Sequence, residues 1–262
     1  MASNPHGIRA AFFDVDGTLV SFETHQMVPS AARALQALRA AGIHPVLATG
    51  RPPYQLAEVP LELFDAYLML NGQRCEADGR VLRDEPIDPA ALPPLLEQIR
   101  SGAYECLFQG FEECFLSGRN DAVRGVEAYI NYSYVTAPLE HALEMPIYQL
   151  NAYLAQGEEL IEAAAPGVKC VRWHPAYVDV IPADGGKDVG VAAILSHWGI
   201  EASAAAAFGD GQNDADMLAA CGIGVAMGNA NDAVKAHADY VAPDCDDYGV
   251  WRACMELGLI DG

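Results

Sequence analysis

The sequence predicts an α/β protein: a parallel β-sheet covered by helices on both faces, with a second segment of mixed α and β character inserted into it. Short apolar runs of strand length alternate with helical patterns such as 30–41. That alternation is typical of parallel sheets packed between helices. The chain has 262 residues, 52% of them hydrophobic, which is sufficient for one large or two modest domains with a substantial core.

The first predicted strand is the apolar run 10–13, which leads into Asp14–Thr18 with the sequence DVDGT. Open α/β sheets bind ligands outside the carboxyl ends of their strands. Two carboxylates placed there suit phosphate chemistry, because one can attack phosphorus while the other handles the proton. Gly17 allows a sharp turn of the backbone. The alternative is an ordinary Asp-Gly turn after a strand.

A second buried strand is predicted over 43–48, and it ends in Thr49, Gly50 and Arg51. A hydroxyl and backbone N–H groups at a strand end can hold a phosphate oxygen. The alternative is a strand-to-helix turn in which Thr49 caps the helix.

A helix is predicted over 187–198, and it opens on Lys187 after two glycines. A cation at the start of a helix opposes the helix dipole. Lys187 therefore indicates an anion bound at this point, whereas the alternative is a solvated surface lysine.

The apolar run 204–208 predicts a further strand, which leads into Gly209–Asp214 with the sequence GDGQND and then into a helix around 217–220. This places another acidic cluster after a strand. A calcium loop is the closest alternative, but the spacing lacks the glycine and the distal glutamate of an EF-hand.

About 137 residues separate Thr49 from Lys187, which leaves room for a whole inserted domain. Proline-rich or glycine-rich connectors at 83–89 and 182–186 predict its borders. Between them the patterns indicate strands over 105–108, 114–117, 147–153, 170–173 and 177–181, and helices over 92–99, 120–132 and 158–165.

In this order the four segments resemble the motifs of the haloacid dehalogenase superfamily of phosphohydrolases. The segments Tyr67–Gly72 and Tyr177–Pro182 are similar to the borders of the cap in its Cof-type subfamily, the class with a IIB cap. The resemblance implies a Rossmann-like, doubly wound core formed by 1–83 and 184–262. It also implies a cap over 84–183 that selects the substrate.

The resemblance further implies a Mg²⁺-dependent phosphatase that hydrolyses a small phosphorylated metabolite, such as a sugar phosphate, through an aspartyl-phosphate. Asp14 is the implied nucleophile and Asp16 the implied acid and base. The implied Mg²⁺ ligands are Asp14, the backbone carbonyl of Asp16, Asp210, and Asp214 either directly or through a water.

The same resemblance implies that Thr49 and the backbone near Gly50 hold a phosphoryl oxygen. Lys187 neutralises charge shared between the phosphoryl group and the nucleophile, and Asn213 positions either of them. Two alternatives stay open: a phosphomutase or phosphotransferase acting on a hexose phosphate, and a non-catalytic module that senses phosphate. The natural substrate and the oligomeric state are left open as well.

The composition argues against other classes of partner. The formal net charge is −21, which disfavours nucleic acid and anionic membrane surfaces. Seven scattered cysteines without a Cys-x-x-Cys pair support neither a zinc site nor a disulfide framework. With no signal-like region over 1–10 and no run of 18 apolar residues, the expected location is the cytoplasm.

Overall fold

The structure is a computed structural model that describes residues 4–261, without the side chain of Trp173. Residues 1–3 and 262, which the predicted core includes, lie outside that description. The strands are β1 Ala10–Phe13, β2 His44–Ala48, β3 Ala66–Met69, β4 Arg74–Ala77, β5 Arg80–Asp84, β6 Glu105–Gln109, β7 Cys114–Leu116, β8 Gln149–Tyr153, β9 Val168–His174, β10 Tyr177–Pro182, β11 Ala205–Gly209, β12 Ile223–Ala226 and β13 Tyr240–Val241. The helices are α1 Pro29–Ala40, α2 Leu92–Arg100, α3 Asp121–Ile130, α4 Glu158–Ala164, α5 Lys187–Trp198, α6 Ala215–Ala220, α7 Asp232–Lys235 and α8 Gly249–Glu256.

The chain divides into two compact units. The first unit contains the chain up to Arg51, Gln55–Asp84, and the chain from Gly186 onward. The second unit contains Glu85–Gly185 together with Pro52–Tyr54. These last three residues belong to the predicted core segment 1–83 but group with the second unit. Residues 184 and 185 of the predicted core also group with the second unit, whereas Asp84 of the predicted cap groups with the first.

The first unit is built on an eight-stranded sheet in the order β13-β12-β11-β1-β2-β3-β4-β5. The six strands from β13 to β3 are parallel, which confirms the predicted fold class. The sheet is not wholly parallel, because near one edge β4 pairs antiparallel with both β3 and the edge strand β5. Their connection is the two-residue turn Asp78-Gly79, with φ of 51° and 67°. A turn this short can join only antiparallel strands.

Helices cover both faces of this sheet. On one face, Ala10 and Phe12 of β1 pack in a cluster with apolar residues of α5, α6 and α7. Ala11 and Phe13 point to the opposite face and are equally buried. There α1 contacts β2 and α8. Burial on both faces explains why β1 is wholly apolar, and why its first polar residue comes at its carboxyl end.

The second unit has an antiparallel five-stranded sheet in the order β7-β6-β8-β10-β9. One face of the sheet packs against α2 and α4 around side chains such as Phe108, Leu150 and Val180. The alternation along the strands places Gln109, Asn151 and Asp179 on the opposite face, where all three are buried.

Two predictions from composition can be compared with the structure. All seven cysteines are free, and five of them are buried. Among residues 4–261, no helix is both long enough and apolar enough to cross a membrane.

Candidate active site

The structure brings the predicted site residues together at the carboxyl edge of the parallel strands. Asp14 follows β1, Thr49 follows β2 and Asp210 follows β11, while Lys187 is the first residue of α5. Because β1 lies between β2 and β11 in the sheet, their carboxyl ends adjoin, and residues far apart in sequence meet there.

Lys187 is the most buried cation of this site. Its Nζ donates to Asp14 Oδ1 at 2.5 Å, to Asp214 Oδ1 at 2.6 Å and to the carbonyl of Ala48 at 3.0 Å. The side chain is fully buried, so the alternative of a solvated surface lysine is wrong. The anions at this helix start include two carboxylates of the chain itself.

Three acids form a cluster around this lysine. Carboxylate oxygens of Asp14, Asp210 and Asp214 lie within 4.8 Å of one another. The pKa of Asp14 is raised to about 7, first by burial and then by the Asp214 charge, while Lys187 opposes the rise. Burial likewise raises the pKa of Asp210 to about 9, with Asp14 as the next contributor. One lysine therefore does not balance three crowded carboxyl groups, and a divalent cation fits this oxygen donor set.

Asp214 also organises the loop that carries the cluster. Its Oδ2 accepts the backbone N–H groups of Asp210 at 3.0 Å and Gly211 at 2.8 Å, while its Oδ1 accepts from Lys187. Both oxygens thus have protein donors, and the side chain is fully buried. Asp214 holds the turn from β11 towards α6 in place and orients the lysine.

Asp16 is not a member of that cluster but is paired with Arg51. Arg51 Nε donates to Asp16 Oδ2 at 2.9 Å, and Nη2 donates to Oδ1 at 2.6 Å. The third nitrogen, Nη1, donates to Glu58 and to the carbonyl of Gln55. Arg51 has no role that the sequence predicts, because its position after Thr49 and Gly50 does not reveal which carboxylate its side chain meets.

Thr49 and Gly50 lie next to this pair. The hydroxyl of Thr49 is buried and accepts the backbone N–H of Arg51 at 3.1 Å. A hydroxyl that accepts one hydrogen bond can still donate its own proton, here to a phosphoryl oxygen. A Cβ at Gly50 would lie 3.1 Å from the amide of Asn71, so the backbone there is closely covered. The structure shows no helix cap at Thr49, since α5 is the next long helix of this unit.

Two asparagines that the sequence analysis did not select complete the site. Asn213 donates to Asn71 Oδ1 at 3.0 Å, so the predicted Asn213 is positioned by Asn71. Asn229 donates to the carbonyl of Gly17 at 2.8 Å and to Asp210 Oδ2 at 3.0 Å. Asn229 therefore ties the loop after β1 to the loop after β11. Lone asparagines carry no motif from which these contacts can be predicted.

Gly17 is required by the close approach of these two loops. Its φ is +73°, and a Cβ there would lie 2.3 Å from Asp210 Oδ2. Only glycine satisfies both conditions. This is the sharp turn that the sequence predicts after Asp16.

Comparison with known proteins identifies the family. Residues 11–254 match the model of the haloacid dehalogenase-like hydrolases. The chain belongs to the haloacid dehalogenase superfamily. YkrA of Bacillus subtilis (strain 168) is 30% identical over 253 residues, covering 95% of this chain and 97% of that protein. The HMP-PP phosphatase of Escherichia coli O6:H1 (strain CFT073) is 28% identical over 242 residues, covering 87% of each chain.

Solved structures of the superfamily are similar along the whole chain. The structure of BT4131, a subclass IIB sugar phosphatase of the superfamily, has a TM-score of 0.90 at 32% identity and covers 96% of this chain and 100% of that chain. BT1666 from Bacteroides thetaiotaomicron has a TM-score of 0.91 at 32% identity, covering 99% and 98%. The predicted resemblance is thereby confirmed, and the protein is a phosphoric monoester hydrolase of the haloacid dehalogenase superfamily.

Proposed function

We propose that this phosphatase hydrolyses a small phosphorylated metabolite, a sugar phosphate or a similar phosphomonoester, through an aspartyl-phosphate on Asp14 and with Mg²⁺ as its cofactor. One observation carries the proposal. The carboxylate of Asp14, at the end of the central strand β1, lies 2.5 Å from the buried ammonium of Lys187 and within the acidic cluster.

The chain's residues fit a divalent cation. Asp14, Asp210 and the backbone carbonyl of Asp16 would hold it, with Asp214 acting directly or through a water. All of these donors are oxygens, as Mg²⁺ requires. When bound, the ion supplies positive charge that compensates the crowded carboxylates and polarises the phosphoryl group.

In the first half of the reaction, an oxygen of Asp14 forms a bond to phosphorus while the bond from phosphorus to the leaving oxygen breaks. Asp16 gives its proton to that oxygen, so the alcohol departs neutral. In the second half, a water attacks phosphorus and Asp16 takes a proton from it. The bond between Asp14 and phosphorus breaks, which releases phosphate and restores both carboxyl groups.

The other predicted residues stabilise charge on the phosphoryl group. Lys187 opposes the charge shared between Asp14 and the phosphoryl oxygens, and Thr49 with the backbone at Gly50 donates to one of those oxygens. Asn213, held by Asn71, orients this set of donors. Such fixed donors are most effective when they are aimed at charge that grows in the transition state.

The substrate class rests on relatives and on the inserted segment 84–183, which we propose to be the cap that selects the substrate. BT4131 is a sugar phosphatase, and the Escherichia coli relative is an HMP-PP phosphatase. In the segment's sheet, Gln109 donates to Asn151, and Asn151 donates to Asp179 at 2.6 Å. Polar side chains of these types recognise hydroxyl groups by hydrogen bonding.

The test is a panel of hexose and pentose phosphates, HMP-PP and nucleotides, assayed for released inorganic phosphate with Mg²⁺ and with chelator. We expect one class of phosphate ester to be hydrolysed at least about tenfold faster than the others, because a few contacts to the substrate supply discrimination of this size. Activity in chelator equal to that with Mg²⁺ would refute the cofactor. Isomerised sugar phosphate without released phosphate would favour a mutase instead.

A further inference from the structure

The pairing of Arg51 with Asp16 assigns a role to a residue outside the predicted site. We infer that Arg51, itself held by Glu58, is a positioning residue that fixes the carboxyl group of Asp16 for proton transfer. The inference rests on the proposed function, in which Asp16 protonates the leaving oxygen and then deprotonates water.

The geometry of the pair favours orientation over simple charge neutralisation. Arg51 uses two nitrogens on the two oxygens of Asp16, at 2.9 and 2.6 Å. A planar fork of this kind fixes both the position and the plane of a carboxylate. Each carboxylate oxygen keeps a second lone pair, so a proton can still pass to or from Asp16 while the fork is engaged.

Asp16 needs such a partner because it is not enclosed by packing. Its side chain is 28% exposed, whereas that of Asp14 is 9% exposed. A short acidic side chain in partial contact with solvent can change rotamer, and misplacement by about 1 Å can reduce a rate by roughly 10²-fold. A rigid external contact is therefore the means by which this chain can hold its acid and base in one place.

Arg51 is in turn fixed at its other end. Nη1 donates to Glu58 and, at 2.6 Å, to the carbonyl of Gln55, while the backbone N–H of Arg51 binds Thr49 Oγ1. The guanidinium is thus anchored on the side away from Asp16, and the same residue touches the predicted phosphate-binding threonine. Glu58 acts on Asp16 only through Arg51, so its replacement should reproduce the effect of an Arg51 variant in weaker form.

The test measures how the rate depends on the leaving group. The variants are Arg51→Ala, Arg51→Lys, Glu58→Gln and Asp16→Asn. Arg39→Ala is the control because it also removes one arginine from an ion pair, the exposed Arg39–Asp65 pair. The value of kcat/KM is determined for 4-nitrophenyl phosphate, whose leaving group needs no proton, and for alkyl phosphates. This parameter covers substrate binding and the steps up to formation of the aspartyl-phosphate, so it includes protonation of the leaving oxygen and excludes the later hydrolysis.

The ratio to compare is kcat/KM for alkyl phosphates divided by kcat/KM for 4-nitrophenyl phosphate. For Arg51→Ala we expect this ratio to fall about tenfold or more. Such a fall is a part of the roughly 10²–10⁴-fold effect that a general acid supplies. Arg51→Lys keeps the charge but loses the two-nitrogen contact, and its ratio should fall as well. Glu58→Gln should give a smaller change of the same sign, and Arg39→Ala should leave the ratio unchanged. A loss of substrate affinity or of folded protein alone lowers both values equally and leaves the ratio constant.

The outcomes separate the inference from the function on which it rests. If Asp16→Asn changes the ratio and the Arg51 and Glu58 variants do not, the inference is wrong and the proposed role of Asp16 stands. If Asp16→Asn itself leaves the ratio constant, the proposed acid and base is wrong. A wild-type ratio in Arg51→Lys would also overturn the inference, because a single ammonium cannot fix the plane of a carboxylate.

Discussion

At the scale of single residues, the site is a set of buried charges that stabilise one another. Lys187 lies between Asp14 and Asp214 with no solvent exposure. These carboxylates raise its pKa despite the opposing effect of burial, so the lysine stays charged. A buried charge is tolerated only when it is paired and hydrogen-bonded. The arrangement holds a cation against the carboxylate that is proposed to attack phosphorus.

Asp14→Asn tests that role directly. The amide keeps the shape of the side chain but cannot attack phosphorus, so turnover should fall below about 1% while the fold persists. Phosphate release and thermal melting measure the two effects. Asp121→Asn, an equal change at a fully exposed carboxylate, should keep wild-type turnover. Retention of more than a few per cent of activity in Asp14→Asn would exclude it as the nucleophile.

Gly17 permits a second test with a close control. Gly17→Ala places a Cβ 2.3 Å from Asp210 Oδ2 at a φ of +73°, whereas Gly79→Ala has a φ of +67° with no atom within 4 Å. Both variants should lose about 1–2 kcal/mol from the backbone conformation. Only Gly17→Ala should also lose most of its phosphatase activity, since Asp210 must move. Equal activity in the two variants would show that the contact with Asp210 has no functional importance.

The sequence allows the placement of site residues to be predicted where they follow the end of a buried strand. Asp14, Thr49 and Asp210 all follow apolar runs, and the topology of a parallel sheet brings such ends together. Arg51, Asn71 and Asn229 were missed for a physical reason. Their contacts depend on side-chain directions in loops, and neither spacing nor composition specifies those directions.

At the scale of elements, the loop from β11 to α6 concentrates like charges that the metal-free protein must accommodate. The pKa of Asp210 is raised from 3.8 to about 9, so its folded form binds a proton more tightly than its unfolded form does. For an acid with this direction of shift, stability without metal falls as pH rises from about 4 to about 9. A cation bound to the folded state opposes this loss.

Asp210→Asn should therefore change both the stability of the metal-free protein at high pH and the stabilisation by a bound cation. In chelator at pH 8 the variant should melt above the wild type, because folding no longer requires a proton to be bound at this position. Mg²⁺ at about 100 times its dissociation constant should stabilise the wild type by ~2.7 kcal/mol. At about 2–4 °C per kcal/mol, this raises the melting temperature by several degrees. Mg²⁺ should stabilise the variant far less. Asp216→Asn, an exposed acid in the adjacent helix, is the control. An equal Mg²⁺-induced shift in Asp210→Asn would remove Asp210 from the metal site.

The elements that were predicted agree with the structure to within about two residues at each end, but several other elements were not predicted. The helix over 187–198 has the predicted bounds, and the strand predicted over 43–48 spans His44–Ala48. The elements that were not predicted are the strands β3, β4, β5, β12 and β13 and the helices α7 and α8. Edge strands are partly exposed, and β5 has no fully buried residue, so it lacks the apolar run by which buried strands are recognised.

At the scale of the whole molecule, each of the two compact units has a hydrophobic cluster of its own. The predicted boundaries near 83 and 184 rest on proline and glycine in the connectors. Residues Pro52–Tyr54 group with the second unit, and composition does not predict this. The contact depends on Tyr54, which donates to the carbonyl of Gly110, a residue far away in sequence.

This organisation predicts what happens when the second unit is removed. In a chain where a short Gly-Ser linker joins Asp84 directly to Gly186, the first unit keeps all eight strands of its sheet and the residues Asp14, Lys187 and Asp210. We expect it to keep the Mg²⁺-induced rise in melting temperature and slow turnover of 4-nitrophenyl phosphate. It should lose discrimination among larger phosphate esters, since we propose that 84–183 supplies the specificity contacts and excludes water.

The measurement is the ratio of kcat/KM values across the substrate panel for the shortened and full chains, beside their melting curves with and without Mg²⁺. An unchanged substrate ranking would show that the inserted segment does not select the substrate. A shortened chain without a cooperative transition would show that the first unit depends on the second for stability, because unfolding of an independent domain is normally cooperative. The Mg²⁺ response is decisive for the site itself, since every carboxylate assigned to the metal lies in the first unit.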